Sequence, residues 1–144
     1  MLASETRTLK LFADGSLLDA EITNSLNNSL VGNDTAFSPD YLVRTGLIFD
    51  NVKWNAALTA TLVEDQYWQD SNLPRGSGSS EIEAEIPAYE VLDFSLEYRP
   101  ADQWTVHGSI NNLLNEDYYS RVRNDGIETA MERKFYVGFR FDFR

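Results

Sequence analysis

Carboxylates are the most plentiful reactive groups in this chain: Asp65, Asp70, Glu81, Glu83 and Glu85, then Glu116, Asp117, Asp125 and Glu128. Two of them side by side would suit general acid–base work, and several together would suit Ca²⁺ coordination through oxygen. Their spacing favours neither. No D-x-[DN]-x-[DN]-G loop occurs, and the acids lie in long polar stretches, where solvated loop charge is the simpler account. His107 is the only histidine and cysteine is absent, which removes thiol catalysis, disulfide frameworks and Cys- or His-rich metal sites. His107 alternates with Val106 and Gly108, as a polar lining residue would. Serine, histidine and aspartate never approach a G-x-S-x-G arrangement. R-G-S-G-S-S at 75–80 resembles a phosphate cradle but lacks G-x-x-x-x-G-K-[ST] and a following helix, so linker composition explains it. The expectation is a chain with no catalytic residue, no metal and no cofactor.

Arginine offers better chemistry. The 12 basic residues face 23 acidic ones, a formal charge of −11. That balance argues against a nucleic-acid partner, because phosphate binding needs basic patches. Against this acidic background Arg75, Arg121 and Arg123 sit in polar stretches. A guanidinium offers paired donors to a carboxylate, so these three are candidates for holding an anionic ligand. Pairing with neighbouring loop acids is the competing reading.

Alternating runs are what would position those arginines. The first spans Thr8 to Ile22, with Leu9, Leu11, Ala13, Gly15 and Leu17 on one parity and Phe12, Leu18 and Ala20 on the other. A helix over L-L-D-A-E-I is its alternative. Residues 24–39 have loop chemistry. Tyr41 to Phe49 and Val52 to Val63 alternate on either side of Asp50-Asn51 and read as a hairpin. Residues 64–87 are irregular. Glu90 to Tyr98 and Trp104 to Asn112 flank Arg99-Pro100-Ala101-Asp102, a turn in which proline fixes φ and removes a donor. A polar stretch, 115–133, leads to the final run. Six strands follow, with connections that alternate long, short, long, short, long, as up-and-down topology allows.

In the final run Phe135, Val137, Phe139, Phe141 and Phe143 share one parity, while Tyr136, Gly138, Arg140 and Asp142 share the other. Exposed to water, such a stripe is an aggregation hazard; against lipid it is an ordinary barrel wall. A barrel also accounts for every second connection being long. Tyr41, Trp54, Tyr67, Trp68, Tyr89, Tyr98, Trp104, Tyr118 and Tyr119 lie near strand ends, where amphipathic rings suit the membrane–water interface. No run of about 18 apolar residues exists for a transmembrane helix, but strands of about 9–11 residues span without one. M-L-A-S-E-T-R-T has no signal-peptide pattern. The expected fold is all-β: antiparallel up-and-down transmembrane β-barrel strands, about six, forming part of a barrel. A soluble β-sandwich or small barrel serving as a binding module is the alternative.

Several segments carry a resemblance. N-N-L-L-N-E-D-Y-Y-S-R at 111–121, a polar loop, and E-R-K-F-Y-V-G-F-R-F-D-F at 132–143 resemble the C-terminal end of TonB-dependent outer-membrane receptors. Those receptors carry an N-L-F-D-x-x-Y-type segment and a last strand that ends in an aromatic residue. L-L-D-A-E-I-T, A-F-S-P-D-Y-L-V-R-T-G-L-I-F and D-Q-Y-W-Q-D-S-N-L-P are similar to the family's late barrel strands. Y-Y-S-R-V-R-N-D-G-I-E is most similar to ferric-dicitrate and related siderophore receptors. Leu114 replaces the usual phenylalanine, and Arg144 follows Phe143.

The resemblance implies that residues 1–144 form the C-terminal part of a receptor barrel in the bacterial outer membrane. It implies uptake of a ferric chelate, with lipid and lipopolysaccharide around the wall. The barrel-assembly machinery would read Phe143, with Phe141, Phe139 and Gly138. Tyr41, Trp54, Tyr89, Trp104, Tyr118 and Tyr119 would be interfacial rings. The plug and the segment that engages TonB are not in this sequence, so the TonB system would act through a missing plug segment. The chain is then expected to be a fragment that cannot transport alone. Lipopolysaccharide phosphates become a second competitor for the arginines. Size-exclusion chromatography checks the membrane expectation: the chain should aggregate in plain buffer and show β-rich circular dichroism in detergent, whereas a sharp monomer peak with cooperative melting in buffer would contradict it.

Overall fold

Side chains that alternate along a strand sort onto two faces, and strand register decides whether that sorting survives across a sheet. The computed structural model describes residues 7–73, 85–123 and 125–143. Its strands are β1 (Thr8–Leu17), β2 (Tyr41–Asp50), β3 (Trp54–Val63), β4 (Tyr89–Ala101), β5 (Trp104–Asn111), β6 (Tyr119–Arg123), β7 (Gly126–Thr129) and β8 (Lys134–Phe141). One antiparallel sheet has the order β1-β2-β3-β4-β5-β8, and β6 pairs with β7 separately. The one helical piece among the described residues is a 3₁₀ turn at Asn28–Leu30. Among the described residues no helix is long and apolar enough to cross a membrane, which says nothing of strands.

Register carries the sorting from edge to edge. One row reads Leu11, Leu47, Leu58, Phe94, Ile110, Phe135, with a large apolar side chain from every strand. A row of the opposite face reads Thr8, Asp50, Asn55, Glu97, His107, Gly138. The apolar row is uninterrupted and the other is almost wholly polar. A slip of one residue in any pair would mix them.

Neither face of this sheet forms a core. The buried hydrophobic residues are Val63, Trp68, Ile86 and Val122, among the described residues, and Val63 alone of them belongs to the large sheet. On β8, Phe135, Val137 and Phe139 are 68%, 84% and 76% exposed. Leaving such a side chain in water forgoes roughly 1.5–3 kcal/mol each. Three of them approach the whole net stability of an ordinary domain, about 5–15 kcal/mol. The face therefore calls for an apolar medium. No second sheet covers it among the described residues, so the sandwich alternative is not what the chain builds.

Element ends differ from the sequence expectation for local reasons. β1 stops at Leu17 instead of Ile22: after one further bond, from Leu18 N–H to the Asp40 carbonyl, the chain enters a loop in which Ile22 donates to Asn33. β3 begins at Trp54 instead of Val52: the Asn51 side chain accepts from the backbone of Lys53 and Trp54 at 2.8 and 2.7 Å and makes the turn itself. β4 continues through Pro100 to Ala101 with a register shift after Tyr98, leaving Asp102-Gln103 as the turn. Arg99 fastens the two short turns, pairing with Glu97 at 2.8 Å while its backbone N–H donates to Lys53. β8 ends at Phe141, so Phe143 lies beyond it and is 91% exposed. The polar stretch 115–133 is not featureless: β6 and β7 form a hairpin there.

Two glycines of the polar face lie beneath rings of the next strand. Phe12 crosses Gly46, where an added Cβ would meet the Leu58 carbonyl oxygen at 2.5 Å and the Phe12 ring at 2.6 Å. His107 crosses Gly138 in the same way. The Gly46→Val variant should lose on the order of 1–3 kcal/mol, since backbone cannot move aside as a rotamer can. Gly108→Ala should be nearly neutral, its nearest contact being an ordinary 3.5 Å. Unfolding midpoints of detergent-refolded protein separate the two; equal midpoints would contradict the close approach at Gly46.

Candidate functional site

Both short turns lie at one end of the sheet, so the described parts of connections 18–40, 64–88 and 112–133 gather at the other. Backbone donors left over in these loops need partners, and they find them in each other. Phe37 donates to Tyr67 at 2.7 Å, Asn33 Nδ2 to the Asp70 carbonyl at 2.8 Å and Asp34 to Asn72 Oδ1 at 2.6 Å. Asn72 has φ +49 and returns a bond from Nδ2 to the Asp34 carbonyl. Gln66 and Ile86 exchange backbone bonds at 3.0 and 2.7 Å, which closes the second connection on itself.

The third connection joins by packing. Trp68, Ile86 and Val122 form a buried cluster with Tyr119 and Ile127 against it. The register shift after Tyr119 lets Tyr119 and Val122 serve the same cluster. N-N-L-L-N sets the entry of this connection. Buried Asn112, at φ +54, accepts from Glu116 N and donates to Glu116 O, both at 2.8 Å, while its own N–H reaches Asp93. Asn115, at φ +58, accepts from Arg133 N at 2.9 Å and so fixes the start of β8. Asparagine tolerates this left-handed backbone, which explains two of the motif's residue types.

Two clefts result. A larger one, about 490 Å³, lies between the outer end of the polar face (Asp93, Asn111, Lys134) and the hairpin (Tyr118, Ser120, Glu128). A second, about 430 Å³, is lined by Phe37, Ser120, Arg121, Val122 and Arg123. Ser120 belongs to both, so the spaces adjoin. Arg121 and Arg123 alternate with buried Val122 and are exposed. Glu128 stands opposite Arg121 in register, yet neither arginine has an ion pair among the described residues. Phe37 has φ +57, a conformation that costs a bulky residue on the order of 1–3 kcal/mol. Arg75 lies outside the described residues.

The remaining predicted residues divide by place. Trp54 stacks on Tyr98 at 4.0 Å, and Trp104 packs on Phe141 at 4.7 Å, which in turn meets Phe143 edge-on at 4.8 Å. These rings cluster at the short-turn end, on the apolar face. Phe139 is tilted against Trp104 at 6.4 Å. Tyr41 begins β2 at the long-loop end, with apolar parity. Tyr89 instead has the parity of Val91 and Asp93 on the polar face, and it stacks on Tyr118 at 4.3 Å. Tyr119 packs into the loop cluster. Tyr89, Tyr118 and Tyr119 are therefore built in among the loops, and Tyr41 is not. Sequence reasoning missed Phe37, Trp68 as a core residue, and the Asn112 clamp; paired asparagines at the end of a strand were the one signal for the last.

Acid surrounds Tyr67. Burial, then the charges of Glu85, Asp34 and Asp65, raise its pKa above the usual 10.0. The folded loops thus keep a proton that the unfolded chain releases near pH 10, and stability falls as pH climbs from there through the raised value. Proteinase nicking of the loops should increase above about pH 10, in step with tyrosinate absorbance. Tyr67→Phe should remove that increment; an unchanged profile would contradict the acidic setting.

A family model described as TonB dependent receptor-like, beta-barrel, matches residues 6–113. No curated protein matches the chain by sequence. Among solved structures the chain is similar to the ferric citrate transporter FecA in its unliganded form (21% identity, TM-score 0.78). It is also similar to the siderophore receptor PiuA from Acinetobacter baumannii (17%, 0.76) and the ferric yersiniabactin uptake receptor FyuA from Yersinia pestis (18%, 0.74). These likenesses cover 92%, 92% and 97% of this chain but 21%, 19% and 22% of theirs, so it spans about a fifth of their length. At such identities the likeness is one of fold. Barrels of the matched family are receptors of the Gram-negative outer membrane. A sheet that sorts its faces for lipid, loops joined into a vestibule, and a matching family model lead to one conclusion: the chain belongs to the TonB-dependent receptor β-barrel family.

Proposed function

We propose that this chain forms the C-terminal part of a receptor barrel wall and frames the outer vestibule in which an anionic ferric chelate binds before uptake. Arg121 and Arg123 carry the reading. They are two guanidiniums on one short strand, unpaired among the described residues of an acidic chain, at the rim of adjoining clefts. A ferric chelate with free carboxylates or phenolates offers paired acceptors to such groups. Arg75 belongs to the same proposal. In this reading the chain performs no catalysis and binds no nucleic acid.

The rest of the receptor is also a matter of proposal. β1 and β8 each present one unpaired edge, which hydrocarbon does not tolerate, so further strands would complete the barrel. A plug inside it would couple the ligand to TonB. The run from Gly138 through Phe139 and Phe141 to Phe143 would be read by the barrel-assembly machinery. Trp54, Trp104 and Tyr41 would meet the lipid interfaces, with lipopolysaccharide outside.

Binding of radiolabelled ferric citrate to outer-membrane vesicles from cells expressing the protein tests the arginines. The double variant Arg121→Ala, Arg123→Ala should weaken binding by about ten-fold or more at equal protein in the membrane, since each hydrogen bond to a charged group contributes roughly 1.5–3 kcal/mol. Unchanged binding would overturn the assignment.

A further inference from the structure

The smaller cleft has a second kind of wall. Phe37 faces the space shared with Arg121 and Arg123, and its ring is half exposed with no aromatic partner among the described residues. Its direction is imposed by the backbone. Its N–H is held by the Tyr67 carbonyl at 2.7 Å, Ala36 N–H by Asp70 Oδ1 at 3.1 Å, and Thr35 N–H by the Ala20 carbonyl at 2.8 Å. Between these anchors φ is +57, where asparagine or glycine would be relaxed and phenylalanine is not. The loops thus hold a strained ring in the open, beside two cations with no ion pair among the described residues. At about 430 Å³ the cleft has the size of an ordinary small-molecule site.

We propose that this cleft selects chelates whose iron-binding groups are aryl oxyanions, such as ionised phenolates or aromatic carboxylates, over aliphatic hydroxy-acid chelates such as citrate. The proposal deepens the receptor reading above and rests on it. An aromatic ligand stacks one ring on Phe37, while its anionic oxygens accept from Arg121 and Arg123. A planar guanidinium also lies well against an aromatic face. Citrate satisfies the arginines equally but has no ring, so it leaves Phe37 in water. Ser120, common to both clefts, places the larger one and the polar face of the sheet next to this site.

The test compares radiolabelled ferric complexes of dihydroxybenzoate and of citrate on outer-membrane vesicles carrying the protein. The dihydroxybenzoate complex should bind about ten-fold more tightly, the scale of one good aromatic contact. Phe37→Asn should erase that advantage and leave citrate binding within about two-fold. Asparagine accepts the left-handed backbone, so loss of fold is not the expected cause. Phe37→Tyr keeps the ring and should keep the preference. Citrate binding that depends on the arginines, with no preference for the aromatic complex or no effect of Phe37→Asn, would overturn this proposal and leave the receptor reading intact. Binding of neither complex would overturn both.

Discussion

Inside hydrocarbon a backbone N–H or C=O has no water to turn to, and each one left unpaired costs several kcal/mol. An antiparallel ladder answers that constraint by pairing each inner strand of the sheet, β2 to β5, with both neighbours. The up-and-down order keeps each connection local, so that no crossover has to pass through lipid. Once the ladder is set, the pleat assigns alternate side chains to lipid or to the interior, and register extends the assignment from Leu11 to Phe135. The proposal that further strands pair with β1 and β8 rests on the same accounting.

Cohesion in this molecule is consequently split between two systems. Strands of the large sheet hold together by backbone pairing and by rows of side chains whose burial depends on the surrounding medium. At the long-loop end the chain must cohere in water, and there it makes a small core of its own from Trp68, Ile86 and Val122. Hydrogen bonds between the first two connections and packing between the second and third join all three into one layer. A loop layer of this kind positions side chains more firmly than separate loops would. That is how Phe37, from the first connection, comes to share a cleft with Arg121 and Arg123 from the third.

Polarity is arranged with similar economy. Acid is abundant in the loops, and the Tyr67 pKa is raised by burial first and then by three neighbouring carboxylates. Arg99 and Arg140 are paired with Glu97 and Asp142 at the short-turn end. Arg121 and Arg123 have no ion pair among the described residues, which is the ground for proposing a ligand anion as their partner. Phe12 over Gly46 and His107 over Gly138 leave no room for a side chain at either glycine of the polar face.

The strands of the sheet were legible because the period of two is written into each run: β8 and the β2–β3 hairpin announce themselves by alternation alone. Their alternating short and long connections were legible too, from Asn51 and Pro100 on one side and long polar stretches on the other. Ends were less so, since Asn51 and the shift after Tyr98 move them by side-chain and register effects that no period records. The vestibule was not legible. Trp68, Ile86 and Val122 lie in stretches without periodicity and meet only because three loops return to one end of the sheet. Phe37 acquires its left-handed backbone and its place beside the arginines from Tyr67 and Asp70, residues more than two dozen positions away. Local alternation therefore determined what spans the membrane, and only long-range hydrogen bonding and packing decided what stands at its mouth.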